Sequence, residues 1–418
     1  MKIVKLFLPG EYDDVYIYMG RLIGLTVDRR LQIYNLEKMI EQIEVQHHPD
    51  TIPAPTLLFT RNDWLASEQF KMLMKNWEMN LTFLNAVDVL SKGIIEIVPE
   101  KFLVEQKEIN LLDPMILDLL IYNGRMFLGA TGGLYNMDID WKSNGQVETK
   151  SLQKRHDARC MNLSARNGTV NASCDDEGLI SLIDEFRLWD HGSKKNDQKV
   201  AEKSLTTSWM NENIINYPSY DHPYLFHSQT GDSNTLGLER ERKVVTGVDP
   251  QATDLEYLLA QAFTKHKIDE NDRVRFVHNS THRLFIATLS GLFLSLSLKA
   301  EEEIEIEKED KKGHNKKQLS LGKDGRIWHL NRGIIATYPC KPGQIVETID
   351  TVALVPNVGK QMVELLQGDI VLIRTFPRSK RFQNLVAVIV DEGIFLISVF
   401  DEKEIGSQSF ENNETYDF

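Results

Sequence analysis

The stretch GTVNASCDDEGLISLID, residues 168–184, reads as two short apolar strands joined by a tight polar turn. Its flanks are rich in Val, Leu and Ile, and Asp175, Asp176 and Gly178 supply the local hydrogen bonds and backbone freedom that a turn needs. This is a β-hairpin. Four further stretches share the layout: GRLIGLTVDRRLQIYNLE from Gly20, GRMFLGATGGLYNMDID from Gly124, HRLFIATLSGLFLSLSL from His282 and NLVAVIVDEGIFLISVFD from Asn384.

The apolar residue after each turn sets the phase: Leu31, Leu134, Leu179, Leu292 and Ile394, separated by 103, 45, 113 and 102 residues. A gap of 45 is one period of a propeller blade, and 113 and 102 each hold two, so a weaker unit belongs inside each long gap. SLTTSWMNENIINYPSYDHPYLFHSQ from Ser204, punctuated by Pro218 and Pro223, and GRIWHLNRGIIATYPCKPGQIVETID from Gly325, with a turn at Pro342 and Gly343, lie at the right phase. Seven units predict an all-β chain, a seven-bladed β-propeller spanning residues 1–418 as a single domain. The leading KIVKLFLP has no hairpin partner beside it. It is expected to close the ring by pairing with the last blade around Leu385 to Phe400, which removes a sheet edge.

The first gap is different. Residues 46–110 read as an insertion after the first blade, with a helix over about 62–90, because Phe70, Leu73, Trp77, Leu81 and Leu84 recur at steps of three and four. Two roles fit this amphipathic stripe: packing on the propeller's own rim, or presenting Trp64, Phe70, Leu73, Trp77 and Leu81 to a protein partner. A short helix before the fifth blade is expected over Asp254–Thr264, where Thr253 and Glu256 make a capping box ahead of LEYLLAQAF. Residues 301–317 read as a charged loop and 407–418 as a flexible tail.

The third unit resembles a WD40 repeat. His156-Asp157 resembles the Gly-His entry of that motif, while Ser173, Asp175 or Asp176, and Gly178 resemble its Ser, turn Asp and Gly. Asp184 stands where the closing Asp would, and the first unit keeps Asp28 with Tyr34-Asn35 in place of Trp-Asp. In that family a His, a Ser and an Asp hydrogen-bond to a Trp and pin the strands; Ile183 holds the Trp position here, which leaves the network incomplete. The resemblance implies propeller architecture, structural turn roles for His156, Ser173, Asp175, Asp176 and Gly178, and service as a platform for other macromolecules.

No nucleophile elbow, Walker loop or dinucleotide fingerprint occurs, and no catalytic residue is singled out. His278 and His282 lie four apart with no carboxylate in place, and His222 and His227 point to different faces of a strand. Neither a metal centre nor a cofactor is expected. Asp175-Asp176-Glu177 and Asp391-Glu392 pair carboxylates as acid–base chemistry requires, but they recur at the same turn phase, which favours a structural role. If Asn167-Gly168 makes a type I′ turn, residue 161 pairs with 174, and the thiols of Cys160 and Cys174 face opposite ways. A hydrolase or lyase site gathered from several blades in the propeller's central mouth stays open as an alternative.

The run RTFPRSKRF interleaves Arg374, Arg378, Lys380 and Arg381 with two phenylalanines, the composition of a single-strand nucleic-acid patch. Against it stands a net charge of −13, which repels polyphosphate and anionic membrane surfaces. The apolar part of MKIVKLFLPGEYDD is too short for a signal peptide, and no stretch approaches the roughly 18 apolar residues of a membrane span. Three cysteines without clustered spacing fit a reducing compartment. The sequence thus predicts a non-catalytic scaffold or sensor subunit of a cytoplasmic complex, binding one or more proteins, with nucleic acid a weaker alternative and no membrane contact.

Overall fold

The computed structural model describes residues 1–47, 52–110, 115–142, 146–183, 196–210, 212–233, 242–269, 271–280, 283–300, 319–330, 333–357 and 361–402. Residues 301–317 and 407–418, Asp184 and His282 lie outside these. Runs of five to nine β-branched and apolar residues, cut by turn residues, fold into antiparallel meanders that follow one another along the chain. The first blade has Tyr12–Tyr18, Arg21–Thr26, Arg30–Asn35 and Leu103–Glu108. The second has Ile116–Tyr122, Arg125–Ala130 and Gly133–Trp141, with Val147–Thr149 and Gln153–His156 both pairing onto the last of these. The third comprises Asn162–Arg166, Thr169–Ser173, Leu179–Ile183 and Asn196–Ala201, and the fourth Thr206–Met210, Asn213–Ser219, His222–Phe226 and Thr253–Asp254. A separate ribbon, Ser228–Ser233 with Arg242–Val248, interrupts the fourth. The fifth has Val274–Asn279, Arg283–Thr288, Leu292–Ala300 and Leu319–His329, and the sixth Ala336–Cys340, Gly343–Glu347, Thr351–Pro356 and Val363–Gln367. Ile370–Thr375, Leu385–Val390 and Gly393–Phe400 begin the seventh. The chain is a seven-bladed β-propeller, with both of the weaker units in place.

The N-terminal strand completes the seventh blade, antiparallel to its third strand from Lys2↔Phe400 to Pro9↔Gly393. Ile94–Glu96 then adds in parallel to the far side of that strand. Blades one to three enter their second strands by the same left-handed pair, Met19-Gly20, Asn123-Gly124 and Asn167-Gly168, all with positive φ as a type I′ turn demands.

The chain divides into two compact units. One, residues 1–111, 139–150 and 334–418, carries blades one, six and seven; the other, residues 112–138 and 151–333, carries blades three to five and most of blade two. In the first unit, the chain leaves the third strand of blade one through α1 (Leu36–His47), α2 (Ala54–Phe59), α3 (Asn62–Leu65), α4 (Glu68–Leu73) and α5 (Trp77–Leu90) before returning to add the fourth strand. The segment read as one helix over about 62–90 is thus three. The reason is capping: Ser67 Oγ accepts from Phe70 N at 3.1 Å, and Asn76 Oδ1 accepts from Glu78 N at 3.0 Å and Met79 N at 3.2 Å, so each starts a new helix.

In the second unit α6 (Glu256–His266) lies where a helix before the fifth blade is predicted, but without the Thr253–Glu256 capping box. Thr253 and Asp254 are strand residues, and Asp254 Oδ1 accepts from Glu256 N at 2.8 Å instead. Among the described residues no helix is long and apolar enough to cross a membrane.

Candidate functional site

The turn of blade three is held by its backbone. Asp175 has φ 50° and exchanges backbone hydrogen bonds with Ser204 at 2.8 and 2.9 Å, while Gly178 N donates to Asp175 O at 3.1 Å. Ser173, fully buried, accepts a 2.9 Å hydrogen bond from Ser204 Oγ, and Asp176 pairs with Lys203 at 3.4 Å. His156 ends a strand of blade two, and its Nδ1 accepts from Ala158 N at 3.1 Å. Ser173 therefore draws its partner from the next blade's entry, and the WD40-type side-chain network is replaced by a main-chain one.

The hairpin register is the expected one, Asn162↔Ser173, yet the two thiols do not face apart. Cys160 and Cys174 share the buried core of this blade, where their thiols donate to Asn162 O at 3.9 Å and Ala172 O at 3.8 Å. Strand alternation fails as a guide because Cys160 lies two residues ahead of the strand that starts at Asn162. The neighbouring thiol and burial push the Cys160 thiol well above its ordinary range.

The first strands of the blades carry polar side chains that satisfy one another. In the second unit, Asp118 Oδ2 accepts from Asn162 Nδ2 at 3.2 Å and Leu163 N at 2.6 Å. Asn162 Oδ1 in turn accepts from Thr206 Oγ1 at 3.1 Å and Thr207 N at 3.0 Å. Asn279 Oδ1 takes the hydroxyls of Ser208 and Tyr217, and its Nδ2 donates to Trp209 O at 3.3 Å. Blades two, three, four and five are stitched together in this way. In the first unit, buried Asp14 on blade one receives both arms of Arg374 on blade seven, at 2.9 and 2.6 Å. Tyr338 donates to Glu347 at 2.8 Å, and burial pushes the Glu347 carboxyl upward. A sequence signal for these groups exists: Asp14, Asp118 and Asn162 lie 17, 16 and 17 residues ahead of the phase markers Leu31, Leu134 and Leu179. Asp14 and Asp118 also follow directly on a register shift, a bulge that re-aims the side chain.

The five residues proposed for partner contact separate. Phe70 is 3% exposed and meets Phe83 edge-on with centroids 5.3 Å apart; Phe83 meets Phe400 of blade seven in the same way at 5.5 Å. Trp64, Leu73, Trp77 and Leu81 are exposed, Trp77 by 61%, and Met72 with them. Packing on the blade and presentation to solvent thus fall to different residues of one segment. Asn62, buried, fixes the seating: its Nδ2 donates to Leu57 O and Leu58 O, and its Oδ1 accepts from Asn384 N of the loop entering blade seven.

The basic run is drawn into the same packing. Arg374 is held by Asp14, and Arg381 donates to Thr60 O at 3.0 Å and Glu37 at 2.6 Å. Phe376 and Phe382 are buried in the core, away from any base that would stack on them. Arg378 and Lys380 are exposed.

No family model and no curated protein matches the chain. Solved structures do. The β-propeller domain of Myceliophteria thermophila Cps50 (Swd1) is similar at 9% identity over 94% of this chain and 97% of that one, with a TM-score of 0.47. The strand pairing of the chain itself makes it a seven-bladed β-propeller. Chaetomium thermophilum Sqt1, bound to the N-terminus of ribosomal protein L10, is similar at 10% identity over 91% and 81%, TM-score 0.42. The N-terminal domain of Nup159 is similar at 9% identity over 96% of each chain, TM-score 0.41. These likenesses concern fold alone.

Proposed function

We propose that this propeller is a non-catalytic protein-interaction scaffold or sensor subunit of a cytoplasmic complex, and that the insertion between the third and fourth strands of blade one is its contact surface. The observation that carries the reading is the division of labour in residues 62–90. Phe70 and Phe83 anchor the segment on blade seven, while Trp64, Met72, Leu73, Trp77 and Leu81 face solvent. Trp77 and Leu81 are four apart on α5 and so share one face. Exposed tryptophans cost a protein solubility and are the residues that dominate binding energy at interfaces. Support also comes from the acidic groups of the first strands, Asp14 and Asp118, whose oxygens are engaged in holding neighbouring blades.

Deleting residues 60–90 is a poor test, because it strips Phe70 and Phe83 from the core. The combined variant Trp64→Ser, Leu73→Ser, Trp77→Ser, Leu81→Ser changes only exposed positions. Affinity capture from the native cell is expected to lose its specific co-purifying proteins with this variant while the melting temperature stays within a few degrees of the parent. An unchanged set of partners would sink the reading.

A further inference from the structure

Beyond the scaffold reading, the second unit assembles a set of metal-ligating atoms that sequence spacing conceals. His222 opens the third strand of blade four, and Asp254 sits on the fourth strand opposite Tyr224, two residues further along. Glu256 is the first residue of α6. One ligand atom from each of the three lies within 4.8 Å of the other two. His222 Nε2 and Asp254 Oδ2 are 3.3 Å apart. That equals the separation of about 3.3 Å between two ligands that each sit near 2.0–2.1 Å from a tetrahedral zinc.

The donors are oriented by contacts of their own. Asp254 Oδ1 is occupied by Glu256 N, which turns Oδ2 toward His222, and the imidazole stacks on Tyr224 with centroids 5.0 Å apart. His222 and Glu256 also line a cleft of about 760 Å³ whose apolar wall includes Leu259, Phe263 and Ile268. A bland account exists, a histidine–aspartate ion pair beside an acid in a helix's first turn. It leaves the convergence of a nitrogen donor with two oxygens at the mouth of a cleft unexplained.

We propose that His222, Asp254 and Glu256 bind one divalent transition-metal ion of the zinc class, with its remaining coordination positions open to the cleft. An imidazole and two carboxylates suit Zn²⁺ over Ca²⁺ or Mg²⁺, which prefer oxygen alone. The test uses the full chain, stripped with chelator and titrated with Zn²⁺ by calorimetry and with Co²⁺ by visible absorption. The expected result is one saturable equivalent with a tetrahedral Co²⁺ band. His222→Ala and Glu256→Gln should each weaken it at least tenfold, with an unchanged circular dichroism spectrum, since neither side chain is in the core. No saturable binding by the parent, or unchanged affinity in either variant, overturns the proposal.

Discussion

A methyl group at position 178 would stand 1.9 Å from the carbonyl oxygen of Ala201, and φ there is +101°. Gly178→Ala is therefore expected to destabilise by more than about 1 kcal/mol, read as a lowered urea midpoint. Asp14 and Arg374 make a stricter case. Arg374→Ala takes the guanidinium away from a buried carboxylate that also accepts from Val15 N, at a cost of about 3–5 kcal/mol, whereas replacing both residues by apolar ones costs much less. A double-mutant cycle measures the difference, and simple additivity of the two single changes would refute the pairing. His278 supplies the pH dependence, because burial holds its pKa down to about 4 against about 6.5 in an unfolded chain. As pH drops from 6.5 toward 4 the unfolded chain takes up the proton first, so this histidine removes stability across that window. His278→Gln should flatten the decline in urea midpoint between those values; an identical slope would assign the acid lability elsewhere.

At the scale of elements, the insertion shows what periodicity reads well and what it does not. The steps of three and four at Phe70, Leu73, Trp77, Leu81 and Leu84 announce helix correctly, because they reflect a local backbone period. They do not reveal that Ser67 and Asn76 cap two separate restarts, which leave Phe70 buried and Leu73, Trp77 and Leu81 exposed. The consequence is measurable. Phe83→Ala, which empties a fully buried site against Phe70 and Phe400, is expected to cost about 3–5 kcal/mol. Trp77→Ser should leave stability within about 0.5 kcal/mol, as exposed positions generally do. Equal losses in the two variants would show that α5 is seated differently.

For the whole molecule, the first strand is the fourth strand of the last blade. Removing residues 1–10 uncovers the edge of Gly393–Phe400 and one side of Ile94–Glu96, two rows of unpaired backbone groups. The truncated chain should aggregate and melt well below the parent, and adding a synthetic peptide of residues 1–10 should restore part of the difference. A truncated chain that melts like the parent would contradict the pairing.

The blade layout, its seven-fold count, the Asn167-Gly168 turn and the partner of the first strand could all be read from the chain alone, since each depends on alternation over a few residues and on turn chemistry within four. Tertiary structure decided the rest: that Phe376 and Phe382 are core rather than stacking platforms, that Cys160 meets Cys174, that Asp14 belongs to Arg374, and that His222 faces Asp254 and Glu256. Those pairings join residues tens to hundreds of positions apart, and a side chain's neighbours at that range are set by how blades and helices pack, which no local pattern encodes.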